Sequence, residues 1–207
     1  MEPGPYDAWL VDLDGTLYRQ TPVRWLMAAE LLLCGPHRIR AIQRFRREQE
    51  RMRRELCDGP ASVSGGCPYR TQLDRAAAAV GCTAERLAPV IEEWMERRPG
   101  KWLRLFRRKR LLTEITAFRA GGGKTALVSD YPAAAKLAGL GVRALFDVVV
   151  ASGEEGGPMA LKPDPAGYLL AAGRLGLAPA RCLVIGDRDD ADGEAARRAA
   201  MAFRLVR

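Results

Sequence analysis

The stretch that decides the fold is Ala8-Trp9-Leu10-Val11-Asp12-Leu13-Asp14-Gly15-Thr16-Leu17-Tyr18. Its apolar run over 8–11 is typical of a short buried strand. Asp12 and Asp14 follow two positions apart, so on extended backbone both side chains point to the same side. Two ionised acids at this spacing repel each other unless a cation lies between them or one is protonated. Mg²⁺ takes oxygen ligands of this kind, and an Asp-Gly turn with solvated acids is the alternative for this stretch alone.

The second half of the chain alternates between strand and helix patterns. Continuous apolar strands are predicted at 125–128, 146–150, 182–185 and 203–206, with a helical pattern before each of them. Apolar strands separated by helices indicate a parallel sheet that is covered on both faces. We therefore predict an α/β protein with a Rossmann-like parallel sheet core.

The residues between the first two strands show helical spacing nearly throughout. We assign residues 22–104 to an all-helical insertion and residues 1–21 and 105–207 to the core. A loop is predicted over 57–68, where glycine, proline and serine are concentrated.

Polar residues gather where the predicted strands end. Ser129 ends the second strand, Asp187 ends the fourth, and Lys162 lies in a loop at the start of a helix. Because ligands of open α/β sheets bind beyond the carboxyl ends of the strands, we expect these residues to lie near Asp12 and Asp14. Carboxylates can serve as nucleophile and as acid/base, while lysine, serine and Mg²⁺ can bind phosphoryl oxygens. The set is chemically complete for phosphoryl transfer.

Composition excludes several other classes of enzyme. The 207-residue chain is long enough for one domain with an insertion. His37 is its only histidine, so a multi-histidine metal site is excluded, and a Ser-His-Asp or Cys-His enzyme would need this residue as its base. The five cysteines show no CxxC spacing, which argues against a disulfide framework and a structural zinc site. No secretory signal and no membrane-spanning apolar run are recognised, so we expect a cytoplasmic protein without a membrane partner.

The net charge of +8 is concentrated in two runs, residues 38–54 and 97–110. In the first run, the helical spacing of apolar residues leaves the arginines mostly on the outer face. Such a face can be merely solvated, or its field can attract anionic substrates. Arg38, Arg40 and Arg44 are candidates for contact with an anionic leaving group, although none of them stands out.

The sequence resembles the haloacid dehalogenase superfamily of aspartate-nucleophile phosphatases over the core. The first motif of that superfamily, DxDGT, matches Asp12-Leu13-Asp14-Gly15-Thr16, and the second matches Leu127-Val128-Ser129-Asp130. The third matches the lysine of Leu161-Lys162-Pro163-Asp164-Pro165, and the fourth matches Ile185-Gly186-Asp187 together with a later acid. The insertion stands where members similar to phosphoglycolate phosphatase carry a helical cap that closes over the site and sets specificity.

The resemblance implies a role for each matched residue. Asp12 would be the nucleophile and a metal ligand, and Asp14 would be the acid/base, with its backbone carbonyl on the metal. Ser129 and Lys162 would hold the phosphoryl group of the substrate.

Mg²⁺ is the cofactor that the resemblance implies. The fourth motif departs from the commoner GDxxxD spacing, because Ala191 occupies the last position. The longer GDxxxxD spacing selects Asp192, and Asp190 remains a competitor. The implied metal ligands are Asp12, Asp14, Asp187 and Asp192.

The function expected from this resemblance is Mg²⁺-dependent hydrolysis of a small phosphomonoester through an aspartyl-phosphate. A phosphomutase of the same superfamily would share every core residue, whereas the dehalogenase branch is less favoured because Asp14 is the acid/base that phosphatases need. A basic protein that binds nucleic acid is the alternative from another class, which a steep salt dependence of affinity would reveal. A nucleic-acid partner is not expected, and the substrate and oligomeric state stay open.

Overall fold

The computed structural model describes residues 6–58 and 67–207, and its centre is a parallel sheet of five strands. The strands are β1 (Ala8–Asp12), β2 (Lys124–Ser129), β3 (Val148–Ala151), β4 (Cys182–Gly186) and β5 (Ala202–Leu205). Their order across the sheet is β3-β2-β1-β4-β5, and every neighbouring pair is parallel. The predicted Rossmann-like parallel sheet is therefore confirmed.

The central strand β1 fixes where the polar strand ends meet. Asp12 lies opposite Val128 of β2, and Val11 lies opposite Ile185 of β4. Because these three strands run parallel and in this register, the residues that follow them emerge side by side at one edge of the sheet.

Helices cover both faces of the sheet. They are α6 (Lys109–Ala120), α7 (Ala134–Leu140), α8 (Ala166–Leu175) and the short α9 (Glu194–Arg198). Since successive residues of a strand point to opposite faces, Val11 packs in the cluster that contains α6 and α7, whereas Leu10 packs in the cluster that contains α8 and α9. Both residues are completely buried, which explains the continuous apolar run of β1.

Between β1 and α6, the described residues form five α-helices. They are α1 (Gln20–Cys34), α2 (Ile39–Asp58), α3 (Pro68–Val80), α4 (Ala84–Ile91) and α5 (Gly100–Phe106), with a π-helical turn at Glu92–Arg97. We call residues 20–106 the helical segment. The predicted loop over 57–68 lies mainly outside the described residues. Residues 1–5, which begin the stretch in which no secretory signal is recognised, also lie outside them.

The two ends of the helical segment are joined by backbone hydrogen bonds. Tyr18 and Arg107 form an antiparallel bridge, and the Arg19 N–H donates to the Phe106 carbonyl at 2.9 Å. The predicted boundaries at 21/22 and 104/105 fall inside α1 and α5 rather than at this bridge. The division into core and cap stays a prediction. Of the helices in the described ranges, none combines the length and apolarity needed to cross a membrane.

Candidate active site

Asp12 is the buried carboxylate at the end of β1. Its Oδ1 lies 2.5 Å from the Lys162 Nζ, and its Oδ2 accepts a hydrogen bond from the Thr16 hydroxyl at 2.8 Å. Lys162 also lies 2.8 Å from Asp192. Burial raises the pKa of Asp12 to about 8, against the opposing charge of Lys162. The negative charges of Asp192 and Asp187 raise the same pKa further.

Gly15 allows the loop after β1 to approach the end of β4. Its φ is +95°, in the region that favours glycine. A Cβ at this position would lie 2.0 Å from a carboxylate oxygen of Asp187, so no other residue fits without moving that acid. The glycine of the DxDGT motif thus has a physical reason in this fold.

Asp14 is held by two side chains that the sequence analysis missed. Lys136 of α7 is buried, and its Nζ lies 2.8 and 2.5 Å from the two carboxylate oxygens. The Tyr18 hydroxyl donates to Asp14 as well. Burial by itself raises the pKa of Asp14, but Lys136 and Tyr18 outweigh it, so the pKa lies below its usual value. The only signal in the sequence was a lysine on a short helix after the second motif.

Asp12, Asp187 and Asp192 form a cluster in which one oxygen from each lies within 4.8 Å of the others. A set of carboxylate oxygens alone suits a hard cation such as Mg²⁺. The Asp14 carboxylate does not belong to this cluster and pairs with Lys136 instead. Asp192 is positioned by the Tyr168 hydroxyl, which donates to it at 2.8 Å.

The geometry distinguishes Asp192 from Asp190, the two candidates for the later acid of the fourth motif. Residues 189–193 form a π-helical turn, which contains more residues per turn than an α-helix. This wider turn brings Asp192 rather than Ala191 to the cluster. The side chain of Asp190 is 70% exposed and pairs with Arg188 at 2.5 Å.

All of the predicted site residues line one cavity of about 250 Å³. Ser129 lies at the end of β2, is buried, and accepts a hydrogen bond from the Tyr131 N–H at 3.2 Å. The cavity brings together Asp12, Asp14, Ser129, Lys162, Asp187 and Asp192.

The helical segment forms the opposite wall of this cavity, and sequence reasoning found none of its lining residues. The expected candidates Arg38, Arg40 and Arg44 are not among them. Helix α2, which carries Arg40 and Arg44, instead presents a neighbouring polar stripe to the cavity. The lining residues from the helical segment are Gln20, Val23, Arg24, Met27, Arg46, Gln49, Glu50, Arg53, Trp94, Met95 and Pro99.

Arg53 connects the two walls. Its guanidinium lies 2.6 Å from the Asp130 carboxylate, directly after the second motif, and 3.0 Å from Glu50. Asp130 also accepts a hydrogen bond from the Lys162 N–H at 3.1 Å. Helix α2 is therefore linked through one buried carboxylate to the backbone of the third motif.

A family model described as haloacid dehalogenase-like hydrolase matches residues 6–200. The chain belongs to this family. The sequence resemblance is thereby confirmed at the level of the family, and the chain is a hydrolase of that family with a parallel sheet core. No curated protein matches the sequence.

Solved structures of haloacid dehalogenase-like proteins share the fold. L-2-haloacid dehalogenase from Xanthobacter autotrophicus matches with a TM-score of 0.63 at 19% identity, over 97% of this chain and 77% of that chain. β-Phosphoglucomutase from Clostridium difficile matches with a TM-score of 0.57 at 18% identity, over 96% and 83%. A predicted phosphoglycolate phosphatase from Haemophilus somnus matches with a TM-score of 0.55 at 19% identity, over 96% and 84%. At these identities the likeness establishes the fold and leaves the reaction open.

Proposed function

We propose that this haloacid dehalogenase-like hydrolase is a phosphatase that cleaves a small phosphomonoester through an aspartyl-phosphate. The observation that carries the proposal is the pairing of two carboxylates with two buried lysines in one cavity. Asp12 lies against Lys162, and Asp14 lies against Lys136. A nucleophile and an acid/base are the two groups that such a reaction needs from the protein.

In the first half-reaction, a carboxylate oxygen of ionised Asp12 attacks the phosphorus atom, and the bond from phosphorus to the alcohol oxygen breaks. Burial raises the pKa of Asp12 to about 8 in the protein alone, and the charge of a bound cation would lower it and so favour the ionised form. Asp14 gives a proton to the departing oxygen, and because Lys136 and Tyr18 lower its pKa in the free protein, it takes up this proton only when the negative charge of the bound substrate raises that pKa. In the second half-reaction, ionised Asp14 takes a proton from water as the water oxygen attacks phosphorus. The bond between Asp12 and phosphorus breaks, and inorganic phosphate leaves.

Lys162 and Ser129 are proposed to hold the phosphoryl oxygens. The Lys162 ammonium is buried, so its charge acts on the phosphoryl group with little screening by solvent. Asp12, Asp187 and Asp192, with the backbone carbonyl of Asp14, are proposed to hold Mg²⁺. When bound, the cation would neutralise charge on the phosphoryl oxygens.

Asp14 favours phosphoryl transfer over dehalogenation. A halide leaves carbon as a stable anion and requires no proton, whereas an alkoxide leaving group does. A partly buried acid positioned by Lys136 and Tyr18 has a task only in the second case. A phosphomutase would use the same residues, so transfer to water or to a second substrate must be measured.

The test is hydrolysis of p-nitrophenyl phosphate and acetyl phosphate with and without Mg²⁺. We expect Mg²⁺-dependent release of inorganic phosphate, and a loss of at least about 1,000-fold in Asp12→Asn because the nucleophile is removed. Asp190→Asn is the matched control, since it makes the same change in an exposed acid outside the cluster. Phosphoryl transfer to an added sugar phosphate in place of water would indicate a mutase. Equal activity in Asp12→Asn would refute the proposed nucleophile.

A further inference from the structure

The cationic side chains around the cavity divide into paired and unpaired groups. Four of them have a carboxylate partner at 2.5–2.6 Å, namely Lys162, Lys136, Arg53 and Arg188. The other two are Arg24 of α1 and Arg46 of α2. Neither side chain makes a hydrogen bond or an ion pair within residues 6–58 and 67–207, and both residues are exposed where they line the cavity. Within the part of the chain that the structure describes, the cavity thus presents two guanidinium groups that pair directly with no carboxylate.

These two arginines line the same cavity as Asp14, and the charges of Arg24 and Asp14 both act on Arg46. Although Arg46 is exposed as a whole, partial burial of its guanidinium, followed by the positive charge of Arg24, lowers its pKa, while Tyr131, Asp14 and Tyr18 raise it. Arginine remains charged in proteins, so the two groups repel each other in the free protein. An anion between them would relieve that repulsion and accept hydrogen bonds from both.

A second observation points to the same kind of ligand. Three other residues that line the cavity carry buried N–H groups for which the described ranges 6–58 and 67–207 supply no acceptor, at the side-chain amide of Gln49, the Nε of Arg53 and the indole of Trp94. Buried donors are normally satisfied, and leaving one unpaired costs free energy. The wall formed by the helical segment therefore has an excess of donors, which an acceptor-rich group would satisfy.

We propose that the substrate carries a second anionic group on its leaving portion, a carboxylate or a second phosphate, which Arg24 and Arg46 bind. The inference rests on the proposed phosphatase activity, because Asp14, which lines the same cavity as these arginines, is the group that protonates the leaving oxygen. The cavity of about 250 Å³ lies below the range of roughly 300–1,000 Å³ typical of ligand pockets. The anionic group is thus separated from the reacting phosphate by a short spacer.

The test uses three phosphomonoesters that differ only at the far end of a three-carbon chain. They are propyl phosphate, 3-(phosphonooxy)propanoate and propane-1,3-diol bisphosphate. We expect kcat/KM to be about 10- to 100-fold higher for at least one of the anionic compounds than for propyl phosphate, as charge-assisted hydrogen bonds imply. The two anionic compounds distinguish a carboxylate from a phosphate.

Arg24→Gln and Arg46→Gln should each remove most of this preference, mainly through KM, and leave propyl phosphate hydrolysis within about threefold. Arg46→Lys should recover part of it, because the charge returns without the bidentate geometry. Arg47→Gln is the control on the same helix, since it removes one charge from a position outside the cavity. Circular dichroism establishes that each variant is folded.

Equal kcat/KM for all three compounds, or an equal loss on all three in Arg46→Gln, would overturn the anion subsite and leave the phosphatase proposal standing. Absence of hydrolysis with every compound would count against the phosphatase instead. In that case, calorimetry of the three compounds with Asp12→Asn decides the subsite. Tighter binding of an anionic compound that disappears in Asp12→Asn combined with Arg46→Gln supports it, and equal or absent binding refutes it.

Discussion

The two walls of the cavity are built by different rules. On the first wall, which we call the strand-end wall, Asp12, Ser129 and Asp187 lie at or directly after the ends of three adjacent parallel strands. The register of the sheet therefore places them together. On the second wall, which we call the helical wall, Arg46 and Arg53 come from a helix whose position depends on its packing against other helices and the core. The difference suggests that the chemistry of this protein is specified by strand ends, and its choice of substrate by the placement of helices.

The largest effect is expected from a change within the strand-end wall. In Gly15→Ala, the new Cβ would overlap the Asp187 carboxylate, 2.0 Å away. Displacing that acid should lower kcat by at least about 100-fold, because catalytic geometry tolerates little misplacement. The measurement is steady-state phosphatase activity at saturating Mg²⁺.

Gly122→Ala is the control for this change. Gly122 also has a positive φ, +89°, but a Cβ there would meet nothing within 4 Å. It should lose a similar amount of stability, about 1 kcal/mol, and keep its activity. If both variants lose activity equally, backbone strain explains the effect and the contact with Asp187 does not.

A smaller effect, a loss of stability, is expected when the ion pair between Arg53 and Asp130 that joins the two walls is broken. Arg53→Gln leaves the Asp130 carboxylate without its cation, and the side chains of this pair are only 15% and 8% exposed. Breaking a largely buried pair should reduce the free energy of unfolding by about 2–4 kcal/mol, as measured by urea denaturation. Arg51→Gln on the same helix breaks an exposed pair, 68% and 42% exposed, and should cost less than about 0.5 kcal/mol. Equal costs would mean that Arg53 does not fasten α2 to the core.

The last effect expected is a pH dependence of stability that arises from Asp12 in the strand-end wall. Burial raises the pKa of Asp12 to about 8 from its ordinary value near 3.8, so the folded protein binds this proton more tightly than the unfolded chain does. Stability should therefore fall as pH rises between these two values, by at least about 1 kcal/mol. Urea denaturation in a chelator at about pH 5 and about pH 9 measures it. Asp12→Asn should flatten the difference, and an unchanged slope in that variant would assign it to another group.

The strand-end wall was accessible to sequence reasoning because its residues follow apolar strands at fixed offsets. A parallel sheet converts those offsets into proximity, and Asp12, Ser129, Lys162 and Asp187 line one cavity as expected. The choice of Asp192 required the structure, because the sequence does not indicate that residues 189–193 form a π-helical turn.

The helical wall was not accessible in this way. Helical periodicity identified the apolar face of α2, and Ile42 and Phe45 are indeed buried. Arg46, Glu50 and Arg53 form a polar stripe beside that face, at spacings of four and three residues. Whether such a stripe meets solvent or a cavity depends on where the helix lies over the sheet, which local spacing does not determine. Lys136 was missed for a similar reason, since its burial arises from its contact with Asp14.

The bridge between Tyr18 and Arg107 has a consequence for the history of the chain. The helical segment leaves the core and returns to it at neighbouring points. The core alone would therefore hold the two ends of the segment close together. Closing the chain across such a gap costs little conformational entropy, and that cost grows only slowly with the length of the piece inserted. Helical segments of quite different size and lining can thus be exchanged at this junction while the strand ends keep their register, which makes the junction a natural point for one reaction to acquire many substrates.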